Sequence, residues 1–96
     1  MSNGQIGTAG RWHISGRVQG VGFRWFVVRQ AERFDIRGWT RNMADGRVEV
    51  LAAGRHADLL KFGEAISEGP LLSRVDNVEK VDIPHELVQD KVFSIK

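Results

Sequence analysis

From Trp12 to Val18 apolar and polar residues alternate: Trp12, Ile14 and Val18 fall on one side, His13, Ser15 and Arg17 on the other, with Gly16 between them. A period of two is the repeat of a strand with one buried face, and a glycine within it marks a place where another group approaches closely. At Phe23 the period changes. Phe23, Phe26, Val27, Ala31 and Phe34 recur at spacings that wind one apolar stripe along a helix of about three turns, leaving Arg29 and Arg33 opposite. IRGWTRNM then reads as a second strand, MADG as a tight turn, and RVEVLAAG as a third strand with Val48, Val50 and Ala52 on one face, so that the two strands form a hairpin. A second helix is predicted over 55–67, with the stripe Leu59, Phe62 and Ile66 and an end at EGP. RVDNVEKVDI and KVFSIK supply further strands.

This order, β-α-β-β-α-β plus a short C-terminal strand, predicts an α+β fold of the ferredoxin-like kind, an antiparallel sheet with two helices on one face. In that plan the first and second strands run parallel with the third between them. The loop after strand one and the end of strand two then emerge at one sheet edge, where Arg24 and Asn42 are expected to be neighbours. Ligands of open α/β sheets sit outside such strand ends. Residues 1–10, small and polar, read as a flexible tail, and 11–96 as a single domain.

Composition narrows the chemistry. No stretch reaches the length of apolar residues that a bilayer crossing needs, and MSNGQIGTAG lacks the apolar core of a signal peptide, so the expected location is cytoplasmic. The chain has no cysteine, which excludes a disulfide framework, a thiolate metal site and a cysteine nucleophile. His13, His56 and His85 are scattered without ligand spacing, and no metal site is expected. The serines lack a nucleophile elbow. Trp12, Trp25 and Trp39 read as core or partly buried packing, and the acidic residues mostly as helix surface and strand exterior. The net charge of +2 divides unevenly: residues 1–48 hold eight arginines against three carboxylates, a formal +5, and residues 49–96 hold six cations against nine carboxylates. The N-terminal half seeks anions, although the dispersed Arg29, Arg33, Arg37 and Arg47 read as solvated surface.

QGVGFR, residues 19–24, gives that charge a focus. Gly20 and Gly22 permit backbone angles that turn successive N–H groups inward, and such a nest at a helix start binds phosphate or carboxylate. A cation in a first helical turn is unfavourable by about 0.3–1 kcal/mol unless an anion is near. Arg24 stands in that turn and can offer an anion two parallel N–H bonds. The plainer reading is a tight strand-to-helix turn with Arg24 in water. No Walker sequence follows, and tryptophan at 25 breaks a Gly-x-Gly-x-x-Gly pattern. Asn42 and Asp45-Gly46 are ordinary turn residues; if Asn42 faces the nest, its amide oxygen can accept from a water and orient it without titrating.

GRVQGVGFR (16–24) followed by GWTRNMADGRVEV (38–50) resembles the two signature regions of the acylphosphatases, small enzymes that hydrolyse carboxyl-phosphate anhydrides. GPLLSRVDNVE and the terminal FSI are similar to later segments of that family, so the resemblance runs from about Trp12 to the C-terminus. It implies that Arg24 binds the phosphoryl group, that the backbone of Gln19, Gly20, Val21, Gly22 and Phe23 cradles it, and that Asn42 orients the attacking water. It also implies no metal and no organic cofactor, an acyl phosphate as substrate, and inorganic phosphate as product and inhibitor. No membrane or nucleic-acid partner is expected, and the chain is expected to be a monomer. Two departures stand out. Thr40 replaces a frequent valine, and Phe34-Asp35-Ile36 replaces Leu-Gly-Leu, which would force Asp35 into a left-handed conformation. Three other functions remain open at this point. The nearest is a module like the N-terminal part of the large carbamoyltransferases of hydrogenase maturation, which would use the same site on carbamoyl phosphate; it is set second, because no room for the remaining domains is expected in 96 residues. Another is a nucleic-acid-binding ferredoxin-like module, disfavoured by the lack of an RNA-recognition aromatic motif. The third is a non-catalytic module that binds acyl or carbamoyl phosphate.

Overall fold

In a computed structural model, which describes residues 7–96, the alternation after Trp12 belongs to a longer strand, β1, Gly7–Arg17. It is followed by α1 (Phe23–Arg33), β2 (Arg37–Asn42), β3 (Val48–Arg55), α2 (His56–Glu68), β4 (Arg74–Ile83), a 3-10 turn (His85–Leu87) and β5 (Phe93–Ile95). The expected tail boundary at residue 10 is therefore too late. Gly7, Thr8, Ala9 and Gly10 pair with Arg55, Gly54, Ala53 and Ala52 of β3, and Ala9 is buried with Ala53 and Val88. Small residues look like a tail in sequence, but here they let the strand lie beneath a crossing chain. The rest of the expected tail lies outside the described residues.

The sheet order is β4-β1-β3-β2-β5. β1 and β2 both run antiparallel to the β3 between them, and are therefore parallel to each other, as the order of elements predicted. The expected antiparallel sheet needs one correction: β5 pairs parallel with β2, so the sheet is mixed. The chain leaves β4 at one edge, crosses the sheet, and reaches the free side of β2 running in its direction. Arg37 holds that crossing, its Nη1 donating to the carbonyls of Val88 and Asp90.

Both helices cover one face. Trp12 and Ile14 of β1 and Val48, Val50 and Ala52 of β3 meet Phe23, Val27 and Ala31 of α1 and Leu59, Phe62 and Ile66 of α2 in one buried core. Phe62 is central: its ring meets Trp12 edge-on at 5.7 Å and Phe93 at 6.0 Å. Truncating a buried phenylalanine of this kind costs about 3–5 kcal/mol.

The opposite face holds an exception to the expected exterior carboxylates. Glu49 is buried, paired in register with His13 on one side and Arg41 on the other. His13 Nε2 donates to its Oε2 at 2.7 Å and Arg41 Nε to its Oε1 at 2.6 Å. Burial alone would raise the Glu49 pKa, but these two hydrogen bonds and the neighbouring charges outweigh it and hold the carboxyl below its ordinary value.

Candidate active site

At the end of β1 the register shifts between Ser15 and Gly16. Gly16 has φ 128°, and a Cβ there would stand 2.1 Å from the Arg74 carbonyl oxygen, so this crossing of backbones requires glycine. Beyond it the chain leaves the sheet and enters the loop before α1. Gly20 and Gly22 each have φ 76°, yet a Cβ on either would meet nothing within 4 Å. Their selection is conformational rather than steric, and the space over the loop is open.

Gly22 is also the residue that caps α1. The first helical bond runs from Phe26 N–H to the Gly22 carbonyl at 3.0 Å. Among the described residues, the N–H groups of Phe23, Arg24 and Trp25 find no acceptor, as in any helix without a cap. No side chain caps this end, and its first turn contains no acid. Arg24 thus adds a cation to a helix end that already presents partial positive charge. It is half-buried and faces β5, lining a cleft of about 540 Å³ with Trp25, Val28, Phe93, Ser94 and Ile95.

Asn42 is the last residue of β2, opposite Val48 at the base of the hairpin turn. The turn is fixed on both sides. Met43 N–H donates to the Arg47 carbonyl at 2.8 Å and Gly46 N–H to the Met43 carbonyl at 3.1 Å. Asp45 accepts the Arg47 N–H and its Nε, and the backbone bond, then the guanidinium, lower its pKa. The Asn42 side-chain oxygen is buried and has no hydrogen-bond partner, which is a costly state for an amide oxygen unless a small polar molecule satisfies it.

Gln19 connects the two segments. Its Nε2 donates to the Met43 carbonyl at 2.9 Å and to the Arg47 carbonyl at 3.0 Å, clipping the glycine loop to the hairpin next to Asn42. Sequence reading assigned Gln19 a backbone role only; the side chain that aligns loop and hairpin was missed, since no pattern reveals a bond across 24 residues. Trp25 was misread as packing: it is 63% exposed, and its place outside the apolar stripe was the available signal. Gln19, Gly20, Val21, Gly22 and Phe23 occupy the loop and helix start as expected.

Chemically, free N–H groups and a guanidinium are donors that can hydrogen-bond an anion with several oxygens. A metal has no evident holder: no group of three His, Cys, Asp or Glu side chains gathers among the described residues. No described helix is long and apolar enough to cross a membrane.

Residues 10–95 match the acylphosphatase family model. A protein of Koribacter versatilis called acylphosphatase is 53% identical over 76 residues, 79% of this chain and 69% of that protein. One of Bacillus velezensis, also called acylphosphatase, is 46% identical over 83% of this chain and 88% of its own length. The crystal structure of an acylphosphatase from Bacillus subtilis superposes with a TM-score of 0.87 at 39% identity, covering 93% of this chain and 98% of that one.

Proposed function

The chain belongs to the acylphosphatase family and is a hydrolase of acyl phosphates, and from that premise we propose that it works by direct attack of a water on a phosphoryl group held at the β1–α1 loop. The loop from Gln19 to Phe23 and the Arg24 guanidinium bind the phosphoryl oxygens. Asn42 accepts one hydrogen of the attacking water through its side-chain oxygen, which aims a lone pair at phosphorus. The observation that carries this reading is that buried amide oxygen without a partner, next to the residue that Gln19 clips to the loop.

The substrate explains why so few groups suffice. The carboxylate leaving group is a weak base and departs without a strong general acid, so catalysis reduces to positioning and charge neutralisation. The water oxygen forms a bond to phosphorus, the bond from phosphorus to the acyl oxygen breaks, its electron pair leaves with the carboxylate, and the water proton passes to a phosphoryl oxygen. The products are a carboxylate and inorganic phosphate, and the latter occupies the same loop as an inhibitor. Preorganised N–H donors act without reorganising during the step. Neither a metal nor an organic cofactor has a part in it, and the protein acts as a cytoplasmic monomer.

Turnover of acetyl phosphate in EDTA tests the reading. Arg24→Ala is expected to lower kcat/KM by about a thousandfold, the scale of losing one charge-stabilising donor, and to abolish measurable phosphate binding in calorimetry. A folded Arg24→Ala protein that turns over normally would remove Arg24 from the site.

A further inference from the structure

We infer that the cleft between α2 and the β1–β4 side of the sheet is a binding site for a small apolar amine: a ligand with a cationic end, an aromatic or branched body and an oxygen acceptor. The site is separate from the phosphoryl edge and does not depend on the hydrolytic mechanism proposed above.

The cleft measures about 870 Å³, within the range of roughly 300–1,000 Å³ usual for small-molecule sites. Gly7 and Thr8 line it at the start of β1, the end of that strand opposite the glycine loop, and neither Asn42 nor any residue from Gln19 to Arg24 belongs to its wall. Leu59, Leu60 and Gly63 supply the helix side, three to four residues apart and so on one face of α2. Val78 and Ile83 of β4, with Pro84, supply the other. Gly63 opens the floor between them, because a Cβ there would stand 3.2 Å from Trp12 Cζ2 and 3.5 Å from its Nε1. Leu60 is exposed in this wall, and a ligand with an apolar body gains by covering it.

Two polar groups in the cleft lack partners. Trp12 is only 3% exposed, yet its Nε1–H, on the Gly63 side, donates to no acceptor among the described residues. The Thr8 hydroxyl oxygen is buried without a partner. A buried indole N–H is ordinarily paired, so the floor calls for an acceptor oxygen on the ligand.

Charge decides the other end. Lys80 is committed, since its ammonium pairs with Asp82 and lies 5.7 Å from the Trp12 ring centroid. The remaining carboxylates of the wall, Glu64 and Glu68, stand one turn apart on α2 and are exposed, with no ion pair among the described residues. The last turn of α2 contains no base, so the partial negative charge of the helix end adds to theirs. A cation at this end meets two carboxylates and a helix C-terminus, whereas an anion is repelled. His56 and His85 line the opposite end, where α2 begins.

The test follows the three tryptophan indole N–H signals of the full chain by nitrogen–proton correlation spectroscopy, the Trp12 signal being the one retained in both Trp25→Phe and Trp39→Phe. The probes are procaine, an aromatic ester with an ammonium group; ethyl 4-aminobenzoate, the same body without the ammonium; and monoethyl terephthalate, an ester that carries a carboxylate. Procaine is expected to shift the Trp12 signal saturably, with a Kd of about 1 mM or tighter, and to bind about fivefold more tightly than ethyl 4-aminobenzoate; monoethyl terephthalate should leave the signal in place. The double variant Glu64→Gln/Glu68→Gln should lose procaine's advantage and keep the affinity for ethyl 4-aminobenzoate; both positions are exposed, and the melting temperature verifies folding. Saturating inorganic phosphate should not change procaine binding. No procaine-dependent shift at Trp12, an advantage that survives in the double variant, or displacement of procaine by phosphate would overturn the site.

Discussion

Asp35 is the one non-glycine residue with positive φ among the described residues, at 57°, and it shows what a single substitution asks of its surroundings. It follows α1 at the position where a left-handed residue closes the helix. Asp35 N–H donates to the Glu32 carbonyl and Ile36 N–H to the Ala31 carbonyl at 2.8 Å, the paired bonds of a Schellman cap. The sequence announced the strain, because aspartate occupies a place where the family often has glycine. The cap bonds and the contact of Ile36 with the core keep the geometry despite the cost. Asp35→Gly is expected to stabilise the protein by about 0.5–1 kcal/mol, read as a melting temperature higher by a few degrees; a lower one would mean that Asp35 contributes more than its backbone angle. Thr40, the other departure, is fully buried and donates its hydroxyl to the Glu49 carbonyl at 3.0 Å. A polar atom in place of a methyl group is tolerated there because it is satisfied.

Between elements, two cross-chain links do what local propensity cannot. The first is the Gln19 clip from the glycine loop to the hairpin. Gln19→Ala is expected to lower kcat more than tenfold while costing only about 1 kcal/mol of stability, since loop and hairpin would both form but lose their alignment. Unchanged kcat would reduce the clip to a structural contact. The second is the ladder His13–Glu49–Arg41 across three strands. The folded Glu49 pKa lies below its ordinary value of 4.5, so its contribution is complete above that value and disappears as pH falls through the lower folded one. Comparing unfolding of the wild type and Glu49→Gln, the wild type should lead by about 2 kcal/mol near neutrality, and the lead should vanish in acid. A lead independent of pH would show that packing, not charge, is lost. The elements were legible because periods of two and of three to four separate cleanly in this chain. β5 was legible as a strand but not in its direction, since a strand of three residues carries no pattern that chooses an edge. The cleft between α1 and β5 was hidden for the same reason, because one of its walls is β5.

At the scale of the whole molecule, the proposed site draws on segments far apart in sequence: the loop after β1, the hairpin after β2, and the last strand. Each is ordinary alone, a glycine-rich turn, an Asx turn and a short apolar run. Sheet order makes them one edge, and the positive N-terminal half of the chain supplies the charge that an anionic substrate needs. That shared edge was legible from the order of elements, whereas the start of β1 at Gly7 was not, since its pairing depends on the crossing chain around Val88 that covers it. The proposed mechanism divides the labour at that edge, with Arg24 and the loop binding and Asn42 aiming the water. The direct measurement is kcat for acetyl phosphate alongside the Kd for inorganic phosphate in Asn42→Ala. The expected kcat is lower by about a hundredfold or more, with a phosphate Kd within about threefold of the wild type. A kcat near the wild-type value, or a loss confined to phosphate affinity, would contradict it.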